Sequence, residues 1–532
     1  MNFAPSLPAG WVDRGVQWGM ARVRSQRWLW LLPLVVLYAM VRWPPARIVH
    51  VMGAVVALGV VAWAIRRPGR ALIALVIFLP LQLIGFGFLL RLPISQQVVK
   101  AAGGLKELLV VGILLSALHA LHVGRTRRGL VRQLDRIDKA ALAYVAMVTV
   151  YMLVPHLFTS LPVAGKWSVR LLAWRADCGY VVLFFAARHA PISAHARRRF
   201  VQVLTAMAGL IIVVAFYQWF RPDSWATFVA ITGRQLQYQI QVLGNDLQIV
   251  TRNLGYLTDR DPLRVGSIFL GPFDMADFLL IPFAVAVERI TRGDRSLSAY
   301  LLGAGILAAL FASRVRADAL AAMVVGLVAL APAPKRPITA RLRLLGAIVL
   351  ATLIVVPSLG GTRFVNAQGG AKSNQGHITE LSAGLSELIH YPLGLGIGNT
   401  PGVGDRFVLA AGQKGAFTVD NAILQVGDEL GVQTLLPWLL LVILTWVGLS
   451  RAARRSDSFA GGVRLAFLAI FVAGMYHHVF LSFPIAWVLW AAIGLALNTG
   501  ASAPGPAKNG AATDSERSES KIAAIQADVG RS

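Results

Sequence analysis

Most of the chain consists of apolar runs separated by short polar segments that carry arginine and lysine. These runs extend over about 15–20 residues, the length that a helix needs to cross the hydrocarbon core of a bilayer. Because lipid offers the backbone no hydrogen-bonding partners, such runs form helices. The predicted spans lie near residues 28–43, 47–65, 71–90, 107–123, 140–158, 171–187, 201–220, 274–290, 297–312, 317–332, 344–358, 430–450, 462–480 and 484–498. The last two are joined only by a short connection, so the chain is predicted to have about 12–14 spans.

The composition places the chain among integral membrane proteins of the all-α class. It is 56% hydrophobic and 14% charged, with a mean hydropathy of +0.63. Residues 1–27 form a basic N-terminal segment without a cleavage site, and residues 28–498 form a polytopic membrane domain. Residues 499–532 are rich in Ala, Ser, Gly and charge and lack apolar periodicity, which predicts a disordered tail.

The net charge of +26 is a topology signal and does not indicate a nucleic-acid partner. An even number of spans puts both termini on one side. With the termini in the cytoplasm, the inner segments hold 32 of the 51 basic residues and 10 of the 25 acidic ones, leaving 19 and 15 outside. This asymmetry follows the positive-inside rule. It predicts a multi-pass protein of the bacterial inner membrane with both termini cytoplasmic.

The same topology places two long segments, residues 221–273 and 359–429, in the periplasm. Loops of this length usually bind or catalyse. The second segment is polar and glycine-rich, carries a predicted amphipathic helix over residues 377–390, and runs into an apolar span. We therefore expect part of an active site in this large periplasmic loop.

Several common kinds of site have no signature in the chain. There is no phosphate-binding Walker loop and no His/Cys cluster with metal-ligand spacing. The single cysteine, Cys178, lies in an apolar run and is predicted to be buried. His477 and His478 lie in a predicted span, which favours helix packing or a buried hydrogen bond. Any reaction would then use a pre-activated substrate, such as a lipid-linked sugar diphosphate met at the periplasmic face.

Four short motifs lie at or near the ends of predicted spans. They are Arg264-Val-Gly-Ser-Ile-Phe-Leu-Gly-Pro272, Ser313-Arg314, Pro392-Leu-Gly-Leu-Gly-Ile-Gly398 and Asp420-Asn-Ala-Ile-Leu-Gln-Val-Gly-Asp-Glu-Leu-Gly431. In their order and spacing they resemble elements of the O-antigen ligase and polymerase superfamily, over about residues 100–450.

Three positions depart from the pattern of that family. Where the family has a histidine before the asparagine, this chain has Asp420. The family's Pro-Asn pair is replaced by Pro272-Phe273, and the small residue that it has three positions after the glycine corresponding to Gly431 is replaced by Thr434. The histidine is held to be essential in the ligases. Its replacement therefore favours a polymerase over a ligase.

The resemblance implies a C-type glycosyltransferase fold that uses no metal and no cofactor. The donor would be an undecaprenyl-diphosphate-linked oligosaccharide, transferred with inversion to a hydroxyl of a glycan or lipid-linked acceptor. Membrane lipid and a chain-length regulator are the further partners expected of a polymerase. Ligation to lipid A-core is the close alternative.

Arg264 and Arg314 are the candidate ligands for the donor diphosphate. A guanidinium group stays protonated and donates two parallel hydrogen bonds to phosphate oxygens. Arg316 is close enough in sequence to take over either role. The structural alternative for Arg314 is an ion pair with Asp318, four residues on along one helix face.

Asp420 is the candidate base for the acceptor hydroxyl. Its structural alternative is an N-cap for the helix that begins near Asn421, because aspartate before an apolar run is a favoured cap. Asn421, His390, Gly396 and Gly398 are predicted to line the substrate site. Further candidate bases on the loop helix are His377, Glu380, Glu387 and His390.

Two other classes of function compete with an enzyme. A lipid-linked glycan flippase would carry ionisable residues deep in several spans. Here the acidic residues Asp177, Asp274 and Asp318 lie near span ends. A catalytically inactive relative that holds a synthesis complex together is the other alternative, which the replacement at Asp420 favours.

The predicted topology can be tested with reporter fusions. Fusions after residues 240, 390 and 410 are expected to report the periplasm, and fusions after residues 130, 340 and 520 the cytoplasm. The basic segments are the physical reason, because they are retained on the cytoplasmic side. A cytoplasmic signal at residue 390 would contradict the site assignment, since the donor and the proposed groups would then lie on opposite faces.

Overall fold

The computed structural model describes ten segments of the chain and four isolated positions. They are residues 45–89, 102–128, 134–154, 167–221, 264–269, 271–330, 367–398, 421–455, 457–477 and 479–498, with Ile338, Thr339, Leu342 and Leu345. The basic N-terminus, the predicted span 28–43, nearly all of the predicted span 344–358, Asp420 and the tail lie outside these residues. The chain divides into two compact units, Met1–Ala62 and Trp63–Ser532.

All regular structure in the described residues is helical, which confirms the all-α prediction. The α-helices are α1 Pro45–Arg66, α2 Pro68–Leu89, α3 Leu105–Arg128, α4 Arg136–Leu153, α5 Trp167–His189, α6 Ala194–Phe220, α7 Pro272–Thr291, α8 Leu297–Ser313, α9 Arg316–Leu330, α10 Ala367–His390, α11 Ala422–Leu430, α12 Val432–Arg454, α13 Ser458–Gly474 and α14 Phe483–Ala496. A short 3₁₀-helix, Val479–Leu481, precedes α14. The predicted loop helix 377–390 is confirmed as the second half of α10.

Three of the described helices are long and apolar enough to cross a membrane. They are Leu105–Val123 within α3, the whole of α6, and α12. Shorter apolar stretches lie in α1, α2, α8, α13 and α14. The protein therefore has the helices of a membrane protein, and the larger number of spans stays a prediction.

Helix ends from distant parts of the chain meet in two sets. In one set, Arg197 near the start of α6 pairs with Asp457 before α13 at 2.9 Å. Arg292 after α7 donates to the carbonyl of Ala453 near the end of α12 at 3.1 Å. We call this set, which holds Arg188, Arg197, Arg292 and Arg454, the basic end.

The opposite set of helix ends carries the sequence motifs. There the Tyr151 hydroxyl, near the end of α4, donates to the carbonyl of Leu393 after α10 at 2.6 Å. Gln218, near the end of α6, contacts Ser267 before α7 at 2.8 Å. We call this set the motif end and define it by Arg264, Arg314, Asn421 and His477. Within each end, therefore, contacts between residues distant in sequence hold the helix ends together.

The core between the two ends is closely packed and aromatic. The Trp438 ring nitrogen donates to the Tyr180 hydroxyl at 3.1 Å, and the Tyr180 ring lies 5.4 Å from that of Trp490. Gly494 of α14 lies against the backbone of α5, where an added Cβ would stand 2.6 Å from the carbonyl oxygen of Phe184. Small residues at such contacts allow two helices to approach closely. Cys178 is buried in this region, as predicted.

A glycine loop, residues 391–398, docks on the break between α11 and α12. Gly394, Gly396 and Gly398 have φ values of 86°, 98° and 83°, and Gly431 at the break has 74°. The docking hydrogen bonds run from Leu395 N to Asp428 O, from Gly396 N to Glu429 O and from Val432 N to Pro392 O. A Cβ at Gly394 would lie 2.5 Å from the nitrogen of Gly431. The Gly-x-Gly pattern is thus required by backbone conformation and by this close approach.

Gly394→Ala should destabilise the protein. The left-handed conformation costs a side chain about 1–2 kcal/mol, and the contact with Gly431 adds steric strain. Thermal unfolding of the purified protein in detergent measures the effect. The matched control is Gly376→Ala in α10, where an added Cβ meets nothing within 4 Å. That change should raise stability, by about 1 kcal/mol at most. Equal melting temperatures for the two variants would contradict the role of Gly394.

Candidate functional site

The segment 264–269 before α7 is held in place by Ser267. Ser267 has a φ of 52° and is fully buried. Its hydroxyl donates to the carbonyl of Ile211 at 2.7 Å, and its N–H donates to the side-chain oxygen of Gln218 at 2.8 Å. Glycine adopts a left-handed conformation without strain, so this turn accounts for the glycine that the fourth position of the first motif also allows. Ser267 is held in that conformation by its hydrogen bonds. The turn thereby fixes the position of the Arg264 backbone, three residues before Ser267.

The structure brings Arg264 and Arg314 together, and their binding of a diphosphate stays a prediction. Arg264 Nη2 donates to the carbonyl of Arg314 at 2.9 Å, although the two residues are 50 positions apart. Each guanidinium group also lies over an aromatic ring, Arg264 over Phe273 at 5.4 Å and Arg314 over Trp219 at 5.8 Å. Cation–π contacts of this kind orient a guanidinium group. The Arg264 guanidinium group is therefore held against the backbone of Arg314 on the motif end, while the Arg314 guanidinium group lies over Trp219.

Arg314 lies in a helix break, which corrects its expected alternative role. α8 ends at Ser313, Arg314 has a left-handed φ of 56°, and α9 begins at Arg316. Arg314 and Asp318 are therefore not on one helix face, and the predicted i, i+4 geometry is wrong. The Ser313 hydroxyl accepts a hydrogen bond from Val315 N–H at 3.2 Å, which stabilises the break. Arg316 is exposed at the start of α9.

A buried cluster next to the arginines was missed by sequence reasoning. It consists of Asp277 in α7, Asp318 in α9 and His477 in the turn after α13. His477 Nε2 lies 3.6 Å from Asp277 Oδ1 and 3.8 Å from Asp318 Oδ1. Exposure is 2% for Asp277, 0% for Asp318 and 9% for His477. The Phe273 ring contacts both Arg264 and His477, the latter at 5.6 Å.

The prediction for His477 was wrong because α13 is shorter than the predicted span. The helix ends at Gly474, so His477 lies in a turn and does not pack in a helix. Among the described residues its Nε2 makes no hydrogen bond. An available signal was the pair of aspartates within predicted spans, since ionisable residues there are costly and usually functional.

The turn 475–477 joins the cluster to the helices of the large loop. The Asn421 amide donates to the carbonyl of Met475 at 3.1 Å, and the His377 and Tyr476 rings lie 6.3 Å apart. Asn421 is also the N-cap of α11, with its side-chain oxygen accepting from the N–H groups of the next turn. The cap role proposed for Asp420 thus belongs to Asn421. Asp420 itself lies outside the described residues, so its role as a base stays a prediction.

The other predicted substrate residues contact the loop elements. His390 ends α10, is exposed, and has its Nδ1 2.7 Å from the carbonyl of Ser386. Gly398 N–H donates to the Glu429 carboxylate at 2.6 Å, and Gly396 N–H donates to the Glu429 carbonyl at 2.9 Å. These glycines therefore dock the loop on α11. Substrate binding by His390, Gly396 and Gly398 stays a prediction.

α11 also carries a buried carboxyl group with an unusual environment. Burial raises the pKa of Asp428 to about 7, and the nearby Glu387 carboxylate adds to the rise. Burial raises the pKa of Glu387 as well. Within the described residues, neither carboxyl oxygen of Asp428 accepts a hydrogen bond. A carboxyl group with a raised pKa therefore lies on α11, the helix on which the glycine loop docks.

Comparison with known proteins gives no independent identification, because no protein-family model and no curated protein matches the chain. The resemblance to the O-antigen ligase and polymerase superfamily therefore depends on the four motifs alone. Chemically, the described site offers two guanidinium groups suited to phosphate and a carboxylate–imidazole cluster suited to a proton or a cation.

Asp428 should make stability fall as the pH rises. Its pKa in the folded protein is about 7 and its ordinary value is 3.8. Between these values the folded protein binds more protons than the unfolded chain, so the free energy of unfolding decreases with pH. Melting temperatures between about pH 4 and pH 7 measure this slope. Asp428→Asn should flatten it.

The control is Asp294→Asn in the turn after α7. A hydrogen bond from the backbone of Ser296 holds the pKa of Asp294 below its ordinary value. Removing this carboxyl should leave the decline between about pH 4 and pH 7 in place. Parallel slopes for the parent protein and Asp428→Asn would show that Asp428 does not titrate in this range.

Proposed function

We propose that this protein is a membrane glycosyltransferase that moves a glycan from an undecaprenyl-diphosphate-linked donor to an acceptor hydroxyl at the periplasmic face. One observation carries the proposal. Arg264 and Arg314 come from separate motifs, 50 residues apart, and meet at one end of the helices. In the proposed reaction they bind the donor diphosphate.

The chemistry of a diphosphate leaving group supports this pairing. When the bond between the anomeric carbon and the phosphate oxygen breaks, negative charge grows on the diphosphate. Guanidinium groups placed at that charge stabilise the transition state, more strongly in a site that excludes water. Arg264 and Arg314 are both half-buried, and their contacts with Phe273 and Trp219 limit their freedom. The guanidinium groups then need to move less to reach the diphosphate during the reaction.

The separation of the two helix ends supports the proposed side of the membrane. The basic end holds the arginine-rich connections, which the positive-inside rule assigns to the cytoplasm. The motif end would then face the periplasm, where a lipid-linked donor supplies the activation and ATP is not required. Three helices able to cross a bilayer fit this arrangement.

Asp420 is the proposed base for the acceptor hydroxyl. It directly precedes Asn421, whose amide contacts the turn that carries His477. In the proposed step the hydroxyl oxygen attacks the anomeric carbon with inversion, its proton passes to the Asp420 carboxylate, and undecaprenyl diphosphate leaves. Because the ligases of the resembling family have histidine here, polysaccharide polymerisation is preferred to ligation on lipid A-core.

Arg264→Lys should lose most of the activity while keeping the charge. A lysine ammonium group cannot donate two parallel hydrogen bonds to a phosphate group. Loss of one such donor typically lowers the rate by about 10²–10³-fold. The measurement is release of undecaprenyl diphosphate from a lipid-linked donor by the purified protein. This product also distinguishes a transferase from a flippase, which would leave the donor intact.

The control is Arg295→Lys, an exposed position in the connection between α7 and α8 at the opposite end. It should retain the parental rate, and both variants should keep the parental melting temperature within a few degrees. Parental turnover by Arg264→Lys would contradict phosphate binding by Arg264. Its remaining role would then be the contact with Arg314 and Phe273.

A further inference from the structure

We propose that Asp277, Asp318 and His477 form a binding site for a divalent transition-metal ion. This site goes beyond the proposed glycosyl transfer and departs from the metal-free chemistry that the sequence resemblance implies. The three residues come from α7, α9 and the turn after α13, so only the folded protein brings them together.

The spacing of the donor atoms fits a metal better than it fits hydrogen bonds. His477 Nε2 lies 3.6 Å and 3.8 Å from the two aspartate oxygens, and the three ligand atoms lie within 4.8 Å of one another. Hydrogen bonds between nitrogen and oxygen are about 2.7–3.2 Å long. Ligands about 2.0–2.2 Å from a common tetrahedral metal ion lie roughly 3.3–3.6 Å apart. A small closure of the three side chains gives that geometry.

Four polar atoms of the cluster lack hydrogen-bond partners among the described residues. This holds for both carboxyl oxygens of Asp318, for Asp277 Oδ1 and for His477 Nε2. Asp318 is fully buried and Asp277 is 2% exposed. Burying an unpaired carboxylate costs several kcal/mol. Three elements nevertheless direct such atoms to one point, which indicates a ligand that satisfies them together.

Charge balance also favours a dication. Two carboxylates and a neutral imidazole need a charge of +2, whereas a histidinium ion supplies only +1. Asp274 lies on the first turn of α7, where its carboxylate accepts a hydrogen bond from the Ser482 hydroxyl at 2.6 Å, and it makes the surroundings more negative. Arg264 contacts the Phe273 ring that also contacts His477. A bound dication would neutralise the two aspartates.

The types of ligand atom in the cluster limit which metal ions it can bind. An imidazole with two carboxylates suits Zn²⁺, Mn²⁺, Fe²⁺ or Co²⁺, whereas Mg²⁺ and Ca²⁺ prefer oxygen alone. Three protein ligands also leave at least one coordination position for water or substrate, as in catalytic zinc sites. We therefore expect Zn²⁺ or Mn²⁺ to bind and Mg²⁺ to bind much more weakly.

The test uses the purified full-length protein, stripped with a chelator and then incubated with Zn²⁺, Mn²⁺ or Mg²⁺. After buffer exchange, elemental analysis should find one Zn²⁺ or Mn²⁺ per chain, and the melting temperature should rise with metal concentration because the ion binds only the folded state. Asp318→Asn and His477→Gln should lose both effects. Asp457→Asn, at the basic end, should keep them.

A ligand substitution keeps the test decisive if the loss variants fold poorly. His477→Cys should bind Co²⁺ with a thiolate charge-transfer band that the parent protein lacks, because the new sulfur would be a direct ligand. Absence of metal and of a thermal response in the parent protein would overturn the proposal, leaving a cluster neutralised by protons. Equal metal content in the parent and all variants would overturn it as adventitious binding. Neither result depends on donor turnover, so the site and the proposed function fail separately.

Discussion

The motif end depends on satisfying backbone groups at helix breaks. Helices end or restart there at Arg314, at Gly431 and at the turn 475–477, and a membrane protein has little water to supply hydrogen bonds. Side chains take that role. Arg264 donates to the carbonyl of Arg314, and Asn421 caps α11 while donating to Met475. The polar residues that could handle a substrate are the same ones that hold the helix ends together.

Buried charges have different partners at the two ends of the helices. At the basic end the buried carboxylates of Asp138 and Glu288 lie beside guanidinium groups, those of Arg188 and Arg292. At the motif end, Asp277 and Asp318 share a single imidazole. Buried groups of like charge are unfavourable unless a proton or cation joins them. The buried carboxylates that need a proton or a cation to neutralise them therefore lie at the end that carries the motifs.

The length of the apolar runs was enough to predict the membrane helices, and twelve of the fourteen predicted spans correspond to described helices. Periodicity was enough for the loop helix, because 377–390 has a strong amphipathic pattern. Periodicity could not locate His477, because its environment depends on α13 ending at Gly474. Nor could it pair Asp277 with Asp318, since that contact requires the packing of α7 against α9. Arg264 and Arg314 were found through the motifs, which record tertiary contacts that spacing alone does not reveal.

Much of each motif is explained by conformation before any chemistry is considered. Gly394 is a glycine because its φ is 86°, and Ser267 holds a φ of 52° through hydrogen bonds to Ile211 and Gln218. Ser313 stabilises a helix break, and Asn421 caps a helix. A motif match of this kind is therefore stronger evidence for a shared backbone than for a shared reaction. The Arg264 guanidinium group likewise supports the helix break at Arg314. The groups left without a conformational explanation are those of the cluster of Asp277, Asp318 and His477. Function is best sought in those groups, because the fold gives no other reason to hold such charges at a buried helix end.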